Sequence, residues 1–251
     1  MSGHSKWATT KHKKAATDAK RAKLFAKLIK NIEVAARLGG SDMEGNPTLY
    51  DAVYKARKAS LPLDNIERAV KRGSGELGDG VQYLNILYEG YGPNGIALLI
   101  ECLTENKNRA AAEVRLAMNR NHGSMADPGS VSYQFARKGI ILVAGTSAED
   151  EILEATLEHD LEDIESNGES FVLTCDPSSM VQARESLQKA GLEYESADVE
   201  FISTIKIESD ADTAEKVIKL IDALEELDDV QNVYSNMDLS QAVMAELEAR
   251  G

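Results

Sequence analysis

The sequence has few cysteines and no long apolar run, and each shortage excludes a class of protein. Cys102 and Cys175 are the only cysteines among 251 residues, and they lack the paired spacing of a zinc site. We therefore expect a reducing compartment and no metal or other cofactor. The longest apolar runs, residues 96–100 and 140–144, are far too short to cross a bilayer. We expect no membrane partner.

The N-terminus is short of acids and of apolar residues. Residues 1–30 hold nine lysines and arginines against one acid, Asp18. A secretory signal needs an apolar segment after its charges, and none is present. A transit peptide is rich in arginine, whereas Arg21 is the only arginine among the nine bases. We expect a cytoplasmic protein.

Charge of opposite sign is divided between the two parts of the chain. The whole protein carries a formal net charge of −14. Residues 1–75 hold 16 basic and 7 acidic side chains, a net +9, whereas residues 76–251 hold 12 basic and 35 acidic side chains, a net −23. This asymmetry predicts a polyanion-binding N-terminal region. The acidic remainder would repel phosphate from the rest of the surface.

Helical periodicity begins near Thr17 and places apolar and cationic residues on different faces. Leu24, Leu28 and Ile32 lie on one face, and lysines form a stripe on another. The candidate nucleic-acid-binding residues are Lys6, Trp7, Lys11, His12, Lys13, Lys14, Lys20, Arg21, Lys23, Lys27 and Lys30. The alternative interpretation is a solvated helix face that follows a disordered tail.

Residue types within this set favour contacts with the nucleic-acid backbone. Lysine outnumbers arginine, which favours phosphate contacts over bidentate reading of bases. Trp7 is the only tryptophan and has no apolar neighbours to bury it. An aromatic ring among lysines can stack on an unpaired base while the lysines contact phosphates.

The pattern of turn residues predicts three short helices in the first 75 residues. Gly39-Gly40 ends the first helix, Asn46-Pro47 caps and opens the second, and Pro62 opens the third. Residues 73–80 contain four glycines and predict a linker. We therefore assign residues 1–75 to a basic arm followed by a helical bundle.

The period changes to that of strands after the linker. Residues 83–89 and 96–103 predict two strands, a helix follows at 108–121, and after a loop at 123–129 a third strand is predicted at 130–135. Residues 90–95 match the G-x-G-x-x-G pattern of dinucleotide-binding proteins. That motif requires a helix after its last glycine, whereas a β-rich run follows here. The pattern favours a hairpin turn.

Residues 139–201 have the order β-α-β-β-α-β, which is typical of a ferredoxin-like domain. A strand at 204–207, a helix that starts near Asp212 and a strand at 230–234 follow. These late elements are expected to complete the sheet that began before residue 139. We therefore predict an α+β protein, with an N-terminal three-helix domain followed by two α+β domains, the last of them inserted into the middle one. The predicted boundaries are 81–137 plus 203–238 for the middle domain, 138–202 for the inserted domain and 239–251 for a C-terminal tail.

No residue pattern indicates catalysis. His122 lies near Asp127, and His159 lies among acids, but neither has a second ligand or base at a fixed spacing. We expect a protein that is not an enzyme. No heptad or exposed apolar stripe indicates a dimer, so we expect a monomer.

Several segments closely resemble the YebC/PmpR family. The resemblance is carried by residues 2–7 (SGHSKW), 11–15 (KHKKA), 88–93 (YEGYGP), 101–109 (ECLTENKNR) and 129–133 (GSVSY), and it covers essentially the whole chain. It implies three domains, the middle one split by the third. The chain departs at residues 121–128 (NHGSMADP), where many members have a glycine pair and no proline. Because the motif begins at residue 2, we expect no transit peptide.

The resemblance implies one function and leaves a second open. Members are described as cytoplasmic DNA-binding transcriptional regulatory proteins, so the expected partner is DNA. Relatives that include the mitochondrial translational activator of cytochrome c oxidase imply the alternative, a ribosome-associated translation factor that binds ribosomal RNA. The residues alone indicate only that the N-terminal region binds a polyanion.

Overall fold

Three helices form the described part of the N-terminal domain. The structure is a computed structural model that describes residues 18–78, 80–166 and 170–250, with side chains from residue 21 onward. The helices are α1 (Asp18–Gly39), α2 (Pro47–Lys58) and α3 (Leu63–Gly73). Their apolar faces form one buried cluster that includes Ile32 and Leu49. The amphipathic pattern predicted these three helices correctly.

Asn46 joins two of these helices. Its side-chain oxygen accepts a hydrogen bond from the Leu49 N–H at 3.1 Å, which caps the start of α2 as predicted. Its amide nitrogen donates to the carbonyl oxygens of Ala35 and Gly40, each at 2.9 Å, near the end of α1. One buried amide therefore satisfies backbone groups at two helix ends.

Gly73 allows α3 to approach α1 closely. A Cβ atom at this position would lie 2.4 Å from the carbonyl oxygen of Glu33 and 2.8 Å from the Cβ of Ala36. Glycine is therefore required here by space.

The middle domain begins with a hairpin. The strands are β1 (Leu84–Tyr91) and β2 (Ala97–Thr104), which pair antiparallel along their whole length. The turn between them holds Asn94 at a φ of 56°. The hairpin confirms that the G-x-G-x-x-G match is a turn and not a dinucleotide-binding loop. Next come α4 (Lys107–Arg120) and the short β3 (Ser124–Ala126), which pairs with the end of β1.

The third domain is ferredoxin-like, as predicted. Its elements are β4 (Phe135–Ala144), α5 (Glu149–Thr156), β5 (Leu161–Ser166), β6 (Ser170–Cys175), α6 (Met180–Lys189) and β7 (Tyr194–Ser203). The strand order is β5-β6-β4-β7, and all neighbours are antiparallel. The two helices pack against a core that includes Ile141 and Leu187.

The chain then returns to the middle domain. The last elements are β8 (Ile207–Glu208), α7 (Ala211–Glu225), β9 (Val230–Ser235), β10 (Met237–Asp238) and α8 (Gln241–Arg250). β9 pairs with β2, so the first sheet has the order β3-β1-β2-β9. The ferredoxin-like unit is therefore inserted between two parts of one sheet. Within the described ranges, no helix has the length and apolar character needed to cross a membrane.

Two of the strand predictions were wrong. Residues 132–134 form a turn of 3-10 helix instead of a strand, and the third strand lies at Ser124–Ala126, in the segment predicted as a loop. The carboxylate of Glu89 accepts backbone N–H groups of Gly129, Val131 and Ser132 at 2.6–3.0 Å, which bends this segment away from the sheet. Of the strand predicted at 204–207, only residue 207 is in a strand, β8 (Ile207–Glu208), which pairs with β10.

Candidate nucleic-acid interface

The structure describes part of the predicted interface. Lys6, Trp7, Lys11, His12, Lys13 and Lys14 lie outside the described residues, as does the side chain of Lys20. Arg21, Lys23, Lys27 and Lys30 are described. All four belong to α1.

The three lysines lie on a face of α1 that is distinct from its buried face. Leu28 and Ile32 pack into the core of the helical domain. Lys23 is exposed, whereas Lys27 and Lys30 are half-buried. The half-buried lysines show that the stripe is partly covered by another part of the chain.

The stripe is covered by the C-terminal end of α7. Lys23 Nζ donates to the carbonyl oxygen of Glu226 at 2.7 Å, and Lys27 Nζ donates to that of Glu225 at 2.7 Å. Lys30 Nζ donates to the carbonyl oxygen of Asp228 at 3.0 Å. The last carbonyls of a helix have no partner within it and carry partial negative charge. Lys23 and Lys27 therefore bind the electronegative end of a helix in the middle domain, and Lys30 binds the turn that follows it.

Asp229 anchors this contact. Its side chain is 3% exposed, and Oδ1 lies 2.9 Å from Lys30 Nζ. Oδ2 accepts hydrogen bonds from Arg109 Nη2 at 2.9 Å and from Thr104 Oγ1 at 2.8 Å. Burial acts to raise the pKa of this carboxyl, but the hydrogen bonds from Lys30, Arg109 and Thr104 hold the pKa below its ordinary value. Asp229 is thus an ionised link between the N-terminal and middle domains.

A second contact joins the N-terminal domain to the third domain. Arg184 of α6 is buried and forms an ion pair with Asp51 of α2. The Tyr54 ring stacks on the Tyr194 ring with centroids 4.5 Å apart, and the Tyr54 hydroxyl donates to the Tyr194 carbonyl oxygen at 2.9 Å. Burial raises the pKa of Asp51 to about 6 even beside the Arg184 guanidinium. The helical domain therefore contacts both α+β domains.

Carboxylates gather beside this second contact. Lys55 of α2 forms an ion pair with Asp198 of β7 at 2.7 Å. Glu200 lies two residues further along β7, and burial raises its pKa to about 7, with repulsion from Asp198 and Glu101 acting in the same direction. The acidic part of the chain thus places negative charge next to the cationic domain.

Comparison with known proteins identifies the family. The model described as "TACO1/YebC protein N-terminal domain" matches residues 5–76, and the model described as "TACO1/YebC second and third domain" matches residues 83–237. The chain belongs to the TACO1/YebC family. This confirms the resemblance to the YebC/PmpR family found in the sequence.

Relatives cover the whole chain. A "Probable transcriptional regulatory protein" of Clavibacter sepedonicus is 62% identical over 250 residues, which are 99% of this chain and 98% of that protein. One of Rhodococcus opacus (strain B4) is 61% identical over 249 residues, covering 99% of this chain and 100% of the relative. The crystal structure of a conserved hypothetical protein of Aquifex aeolicus matches with a TM-score of 0.83 and 43% identity, over 91% of this chain and 95% of that chain.

In this TACO1/YebC protein, one of the two candidate histidines contacts a serine, the other is exposed, and both cysteines are buried. His159 Nε2 lies 2.7 Å from Ser186 Oγ, and His122 is exposed at a φ of 62°. Both cysteines are buried free thiols, and burial raises the pKa of Cys102 to about 12 and that of Cys175 to about 11. Such thiols hold little thiolate at neutral pH. In the described part of the chain, no three His, Cys, Asp or Glu side chains form a group that could hold a metal ion.

Sequence reasoning missed the side chains that join the helical domain to the other two domains. Two of these residues, Asp229 and Arg184, lie far from the basic segment in sequence. The third, Asp51, lies in a stretch whose composition is that of an ordinary protein surface. The only available signal was the acidic end of the helix at 211–225, which is followed by Glu226, Asp228 and Asp229. That signal shows negative charge but does not say which cations it meets.

Proposed function

We propose that this protein is a DNA-binding transcriptional regulator that contacts nucleic acid through its basic N-terminal arm and the adjoining helical domain. The observation that carries the proposal is the charge division, +9 in residues 1–75 against −23 in the rest. The names of the relatives support the regulatory role. A cationic region on an otherwise acidic protein attracts a polyanion to one place.

Exposed cations on the described part of the helical domain extend the surface available to phosphate. Arg21 is exposed on α1, Arg57 on α2, and Arg68 and Lys71 on α3. These side chains are separate from the three lysines that contact α7. They support the whole helical domain, and not only the arm, as the nucleic-acid-binding unit.

The predominance of lysine predicts binding that depends on salt more than on sequence. Each phosphate contact contributes about 0.9 to the slope of log K against log salt on duplex DNA. The arm lysines offer the cleaner test, because Lys23, Lys27 and Lys30 also support a contact between domains.

The test replaces Lys6, Lys11, Lys13 and Lys14 by alanine and measures affinity for duplex DNA as a function of salt. We expect weaker binding to all sequences and a slope lower by about 3 to 4 when all four contacts are lost. The matched control replaces four exposed lysines of the other domains, Lys189, Lys206, Lys216 and Lys219, which gives the same net charge. Equal losses in both variants, or an unchanged slope in the arm variant, would refute the N-terminal interface.

Ribosomal RNA remains the second candidate target because of Trp7. Duplex DNA keeps its bases stacked, whereas loops and bulges of RNA offer bases on which an indole can stack, worth about 1–3 kcal/mol per base. A competition titration of wild type and Trp7→Ala, with duplex DNA and ribosomal RNA at matched salt, separates the two. A preferred duplex with no dependence on Trp7 supports DNA. A loss of about tenfold or more on RNA alone supports the translational role.

A further inference from the structure

The three lysines of α1 that were expected to bind phosphate already have an anionic partner within the chain. Lys23, Lys27 and Lys30 follow the i, i+4, i+7 spacing of one helix face. Each ammonium group lies within 3.0 Å of a backbone carbonyl oxygen at the end of α7 or in the turn that follows it. The stripe therefore meets a row of oxygen acceptors, as it would on a phosphate backbone.

The end of α7 has the charge of a polyanion. Its carbonyls carry the negative end of the helix dipole. Glu225, Glu226, Asp228 and Asp229 follow one another with only Leu227 between them. This acidic end thus offers three backbone carbonyls and the Asp229 carboxylate to the three cations, and the other three carboxylates add negative charge to the same segment.

The contact is polar and lies between separate cores. The buried cluster of the helical domain contains residues 28–69, whereas α7 packs in the core of the middle domain with α4 and β2. Residues 73–80 connect the two domains, and Gly75 and Gly78 adopt φ values of 86° and 96°. Release of the lysines would therefore break hydrogen bonds and an ion pair without opening the buried cluster of either domain, whereas movement of the whole helical domain would also separate the stacked rings of Tyr54 and Tyr194.

We propose that the acidic end of α7 is an internal competitor for the lysine stripe of α1, and that nucleic acid binds fully only when its phosphates displace this end. The proposal rests on the proposed function and adds its regulation. It assigns the stripe a closed state, seen here, and an open state in which the phosphates of one nucleic-acid strand take the places of the α7 carbonyls and of Asp229.

The first measurement weakens the competitor without touching the lysines. Glu226→Gln with Asp228→Asn removes two exposed charges at the end of α7. The matched control is Glu154→Gln with Glu158→Gln, two exposed acids in and just after α5 with the same change in net charge. We expect the first variant to bind mixed-sequence duplex DNA about threefold or more tightly than the control, as the loss of two exposed charge interactions predicts.

The second measurement follows the opening directly. Spin labels are attached at two exposed sites, Leu38→Cys on α1 and Lys216→Cys on α7. The distance between the labels is measured by pulsed electron paramagnetic resonance. Addition of the duplex, or of a ribosomal RNA fragment, should add a longer distance. The native Cys102 and Cys175 are buried, so the labels report the two introduced sites.

The outcomes separate this proposal from the function on which it rests. Tighter binding by the acid variant together with a longer distance supports the competitor. Binding with an unchanged distance, or with no gain over the control variant, overturns the competitor and leaves the N-terminal interface standing. No binding of DNA or RNA by wild type overturns both.

Discussion

Glu200 is a half-buried carboxyl beside two lysines that are each paired with another carboxylate. Lys138 of β4 lies directly opposite it in the sheet, but Lys138 Nζ binds Glu162 at 2.6 Å. Lys55 is committed to Asp198. Burial and the neighbouring carboxylates therefore raise the pKa of Glu200 from 4.5 to about 7. Replacing this side chain by its neutral isostere should stabilise the protein in a manner that depends on pH.

The direction in which stability changes with pH follows from proton linkage. The folded protein holds the Glu200 proton more tightly than the unfolded chain, so the contribution of this group to stability is fully present below about pH 4.5. It is lost as the pH rises through about 7. A shift of this size corresponds to a cost of about 3 kcal/mol at pH 8 and less than about 1 kcal/mol at pH 5. Glu200→Gln removes the ionisation and with it that cost.

Calorimetric melting of wild type and Glu200→Gln at pH 5 and pH 8 tests this. Because the glutamine amide also needs hydrogen-bond partners, we expect a net gain of about 1–3 kcal/mol at pH 8, which raises Tm by roughly 2–10 °C, and little change at pH 5. Glu195→Gln, an exposed site on the same strand, is the control and should be neutral at both values. A shift of the same size at both pH values, or a loss of stability at pH 8, would refute the linkage.

Two further predictions concern the domains themselves. Gly73→Ala should lower the free energy of unfolding by about 1–3 kcal/mol through overpacking against Glu33, as measured by denaturant unfolding, whereas Gly45→Ala, where a Cβ has space, should change it by less than about 0.5 kcal/mol. A chain of residues 81–251 should melt cooperatively without the helical domain, because the buried residues of its cores all belong to residues 81–251, and the helical domain adds only the half-buried Tyr54 at the edge of the third-domain core, among the described residues. An insoluble or molten product would contradict the division at residues 73–80.

Local patterns in the sequence were sufficient for most of the elements. The caps at Asn46 and Pro47, the stop at Gly39 and the turn at Asn94 act within a few residues, so they can be read without the fold. The order of the ferredoxin-like unit follows from alternating periods of strand and helix. The two-part sheet was also predictable, because unpaired strands on either side of a complete unit need each other.

Long-range contacts determined the structural features that local sequence patterns did not predict. Glu89 binds three backbone N–H groups about 40 residues away, and this turned a predicted strand into a bend. No local pattern marks such a carboxylate, because its effect depends on where the hairpin places it.

The same limit applies to the cationic helix. Composition and spacing determined that α1 has an apolar face and a lysine stripe, since both follow from the helical period. The sequence did not show that Lys30 would meet Asp229, which lies 199 residues further along the chain. Only the tertiary structure brings the end of α7 to the stripe. Electrostatic attraction depends on the distance between two groups in space, and their separation along the chain does not reveal that distance.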